Sequence, residues 1–190
     1  MTGGARPLAF HSFQPTLDQG SDHIHTGEVM RYMEGDRPTA VKALFVLEAF
    51  FGILGVISGL LLMIDPSGAL LGFPPSVAER VPFQNFFLVG LFLFAIYGLY
   101  AILLAYGTWT RDEMFLGKLS KAGGIHWSWQ GAVALLVILA VWLIVENSII
   151  GLDYPATYMT IILGLAIFLA IVMPSTRKYF SEAYARTETP

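Results

Sequence analysis

Two carboxylates lie inside long apolar stretches of this 190-residue chain, and they are its most chemically pointed residues. Glu48 sits within Ala43–Ile64, and Glu146, followed by Asn147, within Trp129–Ile150. A charged, unpaired carboxylate is costly in hydrocarbon. Each must therefore be protonated, hydrogen-bonded, or able to reach water. Glu48 opens a series with Gly52, Gly55 and Gly59, whose steps of four, three and four put all of them on one helical face. Gly55 and Gly59 form a GxxxG pair, which lets a second helix approach closely. Glu48 thus points into a bundle or at a partner. A polar clasp between helices, a proton or ligand site, and snorkelling to the inner interface are its three readings. Glu146 lies 19 residues beyond Trp127, roughly 28 Å along a helix. That places the two acids near opposite surfaces, too far apart to work as a paired acid and base. Arg80, Gln84 and Asn85 are the neighbours expected for Glu146.

His126 is the only histidine beside an apolar run. A bis-histidine haem needs two axial ligands and so does not fit, whereas a (bacterio)chlorophyll magnesium needs one. His126, next to Trp127 and Trp129, could supply it, or could simply sit in an interfacial aromatic belt. His11, His23 and His25 belong to a polar arm, where the HxH at 23–25 with Asp22 and Glu28 is weak grounds for a metal. No metal site is assigned. Cysteine is absent, so no disulfide, thiolate ligand or thiol nucleophile exists. No catalytic signature stands out, and the chain reads as a non-enzyme.

The elements that must carry these residues are four apolar runs: Ala43–Ile64, Phe86–Gly107, Trp129–Ile150 and Thr157–Met173. The first three match the length that crosses a hydrocarbon core of about 30 Å as a helix, and the fourth is at the short end. Hydrocarbon offers backbone groups no partners, so each run must satisfy its own as a helix. The charged fraction, 13%, is about half that of a soluble domain. The fold class that follows is all-α: an integral membrane four-helix bundle over 41–174, with a polar arm at 1–40 and a tail at 175–190. The arm lacks an apolar h-region and is not expected to be a cleavable signal peptide. A net charge of −3 gives no footing for nucleic acid.

Ten of the eleven Lys and Arg residues precede run 1, separate runs 2 and 3, or follow run 4; Arg80 alone lies on the other side. By the positive-inside rule both termini face the cytoplasm, in an inner membrane. Tyr106, Trp109, Trp127, Trp129, Tyr154 and Tyr158 suit interfacial belts. Asp65-Pro66 predicts an N-capped short helix through Leu70 and Leu71. Ser76–Glu79 and Thr110–Glu113 match the capping-box spacing. Met114, Phe115, Leu116 and Leu119 suggest that the inner loop rests on the membrane surface. In the arm, Thr26–Met33 is a candidate helix.

The stretches Asp65–Gly72, Val81-Pro82-Phe83 and Trp142–Glu146 running on to Gly151 resemble small four-helix bacterial membrane proteins of unassigned function, and more loosely the DoxX-like group. The resemblance covers about Ala43 to Met173. It implies the bundle and, through the DoxX-like group, a link to quinone or redox chemistry. Two functions follow from the sequence. The first is a non-catalytic accessory subunit of a larger redox or photosynthetic membrane complex, with membrane lipids and other integral subunits as partners. The glycine face, the bare midplane and the polar arm favour it. The alternative is a small standalone carrier or quinone helper using Glu48 and Glu146. Bound lipid, quinone, chlorophyll or carotenoid are the cofactors either would take. Phe86, Phe87, Phe92, Phe94, Tyr97 and Tyr100 could meet such a molecule or a partner. The basic asymmetry yields a topological test: a cytoplasm-active reporter fused after Pro190 or within 111–121 should work, and one near Ser76 should not. A periplasmic signal from the C-terminus would sink the four-span reading.

Overall fold

The computed structural model describes residues 37–113 and 116–188. The histidines of the arm, its expected helix at Thr26–Met33, and Met114 and Phe115 lie outside the described residues. Regular structure among those described is helical throughout: α1 (Thr39–Ile64), α2 (Pro75–Ala78), α3 (Phe87–Thr110), α4 (Gly117–Gly123), α5 (Trp127–Ile149), α6 (Pro155–Val172) and α7 (Pro174–Glu188). Four of them, α1, α3, α5 and α6, are long and apolar enough to cross a membrane. Proline punctuates them. Pro155 occupies the first turn of α6, and Pro174 stops α6 and opens α7, both places where an N–H would lack an intrahelical partner.

Helix α1 packs on α3 and α6, α3 on α5, and α5 on α6, so the four long helices close a ring. Leu44, Phe51, Tyr97, Leu104, Leu135 and Ile167 fill its middle. The tightest seam is α1 against α3. A Cβ built on Gly55 would stand 2.4 Å from the Tyr97 carbonyl carbon, and one on Gly59 2.5 Å from the Phe94 nitrogen. From the other side, a Cβ on Gly90 would meet the Gly59 oxygen at 2.8 Å and one on Gly98 the Val56 nitrogen at 2.9 Å. Backbone thus lies on backbone, and the glycine face of α1 is filled by α3 of the same chain. Where they meet, α3 is wound as a π-helix over Leu93–Tyr100, a widened turn that the 3.6-residue pattern does not foretell.

Local expectations fare unevenly. Asp65 does organise the first connection: its carboxylate accepts from the Leu70 amide at 2.9 Å and the Ser67 hydroxyl at 2.6 Å. Those bonds, the Ser67 one foremost, hold the Asp65 carboxyl below its usual range. The helix it serves is a single 3-10 turn, Ala69–Leu71, flanked by left-handed Gly68 and Gly72. Neither capping box forms. Pro74 caps α2 with no side-chain bond, and Ser76 lies inside the helix. Thr110 ends α3 and donates to the Tyr106 carbonyl at 2.9 Å, while Glu113 turns to Ser120 instead. Trp127 is core and not belt, with its indole N–H on the Asp112 carbonyl at 2.8 Å. The tail folds as α7, burying Thr176, Tyr179, Phe180 and Ala183.

The seam predicts a contrast between glycines. Gly55→Leu forces backbone apart and should cost about 3 kcal/mol, the upper end of overpacking. Gly72→Ala meets nothing within 4 Å and should cost only the left-handed strain of about 1–2 kcal/mol. Thermal unfolding in detergent reads both; equal losses would mean the seam is looser than the backbone contacts require.

Candidate functional site

Polar groups gather in three places, and each long helix takes part in at least one. Glu48 is fully buried on α1. Its Oε2 accepts from the Thr108 hydroxyl of α3 at 2.9 Å, while Oε1 has no hydrogen-bond partner. On the next turns of α3, the Tyr100 hydroxyl donates to the Gly131 carbonyl of α5 at 3.0 Å. These are ties between helices, the clasp among the three readings of Glu48. Thr108 escaped notice because a lone threonine near a helix end carries no pattern of its own. Its spacing from Tyr97, Ala101 and Leu104, steps of four, three and four on the buried face, was the available signal.

At the end of the helices where α1 begins and α7 sits, His126 caps α5. Its Nδ1 accepts from the Ser128 amide at 3.3 Å and lies 2.9 Å from the Ser128 hydroxyl. Nε2 faces Glu113 Oε1 at 3.8 Å. The ring is fully buried, set against Trp127 and stacked on Phe180 with centroids 6.0 Å apart. No face of the imidazole stands open in this structure, and its buried Nε2 has no hydrogen-bond partner. Burial pushes the imidazole below its ordinary pKa, against the opposing pull of the Glu113 carboxylate. The surroundings are tightly bonded. Ser120 donates to Glu113 at 2.6 Å and accepts from the Trp127 amide at 2.8 Å; Gln130 donates to the Ile125 carbonyl at 2.7 Å; Arg111 Nε donates to the Tyr179 hydroxyl at 2.6 Å. Among the described residues no group of three or more His, Asp or Glu could hold a metal.

The opposite end, where the 65–86 and 150–154 connections lie, is built differently. A cavity of about 430 Å³ opens there, lined by side chains from all four long helices and from the first connection. Drug-sized ligands occupy pockets of this size. Its walls are aromatic: Phe50 and Phe51 from α1, Phe73 and Phe86 from the connection, Tyr97 from α3 and Trp142 from α5. Trp142 stacks on Phe92 with centroids 4.7 Å apart, and Tyr97 meets Phe51 at 5.1 Å, so the walls are braced. Its polar groups are Glu146, Thr157, Thr160, Ser58 and the Tyr97 hydroxyl. The Thr157 hydroxyl donates to Glu146 Oε1 across the 150–154 turn. The Tyr97 hydroxyl is buried without a hydrogen-bond partner.

The expected site residues therefore separate. Glu48 and Gly52, Gly55 and Gly59 belong to the α1–α3 seam, His126 to the packed end, and Glu146 to the cavity. Asn147 is exposed and lines nothing here. Thr157 is the hydrogen-bond partner of Glu146, while Asn85, a neighbour expected for it, bonds its own chain at Phe83 and Phe87. Of the aromatic side chains named from sequence, Phe86 and Tyr97 turn inward to the cavity and Phe87 outward. Comparison of the chain with protein-family models, curated proteins and solved structures finds no match.

The clasp predicts opposite outcomes for its two partners. Thr108→Val leaves the buried Glu48 carboxyl unbonded and should cost about 1–3 kcal/mol. Glu48→Gln keeps an acceptor for Thr108 and should melt near the wild type. A Gln variant as unstable as the Val variant would show that the carboxyl itself, as well as the hydrogen bond, matters at this position.

Proposed function

We propose that this chain is a four-span integral membrane protein of the inner membrane, with both termini in the cytoplasm, which holds a small lipophilic molecule drawn from the bilayer. The observation that carries this reading is the braced, aromatic cavity with a carboxylate and an unpartnered tyrosine hydroxyl in its lining. Phe50 and Met159, both lining residues, are 45% and 48% exposed on the outer faces of α1 and α6. On this reading a lateral mouth between those helices would let a membrane-dissolved compound enter without crossing water. On the proposed topology, the cavity lies in the outer leaflet.

This is the standalone carrier or helper reading, narrowed to Glu146. Glu48 is committed to the clasp with Thr108 and takes no part. The accessory-subunit reading drew on the glycine face, the bare midplane and the polar arm; α3 occupies the glycine face, so of the three that one lends it no weight.

Filling the cavity tests the proposal. Leu54 lines it from α1 and is only partly buried, so Leu54→Trp can project an indole into the open space. Native mass spectrometry of gently solubilised wild type should show a co-purifying small-molecule adduct, or saturable uptake of an added apolar dye. The Leu54→Trp protein should lose it at least tenfold. Equal retention by both proteins would place any bound molecule elsewhere.

A further inference from the structure

We infer that the cavity selects a lipophilic organic cation, an amine or onium compound with a broad apolar body; this rests on the cavity's being a ligand site. The lining contains one carboxylate and, among the described residues, no lysine, arginine or histidine. An anionic head, whether phosphate or carboxylate, would meet Glu146 with no countercharge, which apolar surroundings make prohibitive. A purely apolar chain would leave the carboxylate without a partner charge. A cation satisfies both requirements at once.

The geometry around Glu146 suits that role. Thr157 occupies one carboxylate oxygen, Oε1, and fixes the group in place. The second oxygen remains for a ligand. Tyr97 and Trp142 both line the cavity beside it, with their ring centroids 6.4 Å apart and edge to face. Aromatic faces within about 6 Å of a cation attract it through the ring quadrupole, more strongly where water is excluded. The aromatic lining from α1 and the first connection accommodates the apolar body. Delocalised or alkyl-shielded cations suit such a site best, because they shed water at low cost.

Two probes of nearly one shape and opposite charge decide the matter: tetraphenylphosphonium and tetraphenylborate, with triphenylphosphine oxide as a neutral third. Equilibrium dialysis against the full chain in detergent should give saturable phosphonium binding and no saturable borate binding. Glu146→Gln keeps an acceptor for Thr157 but removes the charge; it should weaken phosphonium binding at least tenfold and erase the preference over borate. Trp142→Leu removes one aromatic wall without touching the carboxylate, and should weaken phosphonium binding several-fold even if the Gln variant folds poorly. Equal binding of phosphonium, borate and the neutral oxide, lost on Leu54→Trp, would overturn the cation selectivity and keep the ligand site. No saturable binding of any probe would overturn the ligand site with it.

Discussion

The architecture depends on one contact made largely by backbone, the seam where Gly52, Gly55 and Gly59 of α1 meet Gly90, Gly98 and the π-wound turn of α3. Between helices in lipid there is no hydrophobic drive to association, since lipid tails are as apolar as leucine. Close van der Waals contact must supply the attraction, and it is greatest where backbones touch. That contact also sets the heights of everything else along the two helices. Glu48 comes level with Thr108 one or two turns from one end, and Phe51 comes level with Tyr97. With glycine on the shared face, bulk is displaced sideways. The rings of Phe51, Tyr97 and Trp142 accordingly gather beside the seam and wall the cavity, with Phe92 braced against Trp142 and Tyr97.

The two ends of the protein then solve different problems. At the packed end, loop carbonyls, indole, amide and guanidinium are paired in bonds of 2.6–2.9 Å, and α7 closes over them with Tyr179 and Phe180. Some buried polar atoms there nevertheless lack a hydrogen-bond partner, among them Glu113 Oε1, His126 Nε2 and Thr176 Oγ1. At the other end, large side chains surround space that they do not fill. In a sealed core such a void would forfeit dispersion contacts and be strongly destabilising. On the proposed membrane reading, a cavity open to the bilayer would escape most of that cost, because lipid chains could occupy it when no ligand does.

Much of the fold was legible beforehand, and for a clear reason: a segment that must satisfy its backbone in hydrocarbon has one local structure available. The four long helices fall within a few residues of the apolar runs that announce them. The glycine face was legible too, as spacing, but spacing does not say whose helix fills it. The tail's packing could have been read from Thr176, Tyr179, Phe180 and Ala183, which recur at helical intervals in a segment otherwise polar. The capping boxes misled because the motif is short and competes with proline: Pro75 set the start of α2 one residue ahead of Ser76. The cavity was beyond reach, since its lining comes from five stretches far apart in the chain. No window of sequence contains it.

Glu48 and Glu146 look alike in the sequence, each an acid within a long apolar run, yet their surroundings differ. Glu48 is sealed, with one oxygen on Thr108 and tightly packed glycine on the next turns. Nothing can approach it without separating α1 from α3, so its chemistry ends at the clasp. Glu146 is held just as firmly at one oxygen by Thr157, but it stands at the wall of an opening and is only partly buried. A residue fixed at one atom and available at another is poised to recognise a ligand: the bond that positions it costs nothing when the ligand arrives, because it is already made. Were the cavity only a packing fault, a small apolar residue at 146 would fit it better than a carboxylate that must be kept hydrogen-bonded in apolar surroundings. Its bond to Thr157 ties α5 to α6, and on the proposed reading its free oxygen would meet a ligand of complementary charge.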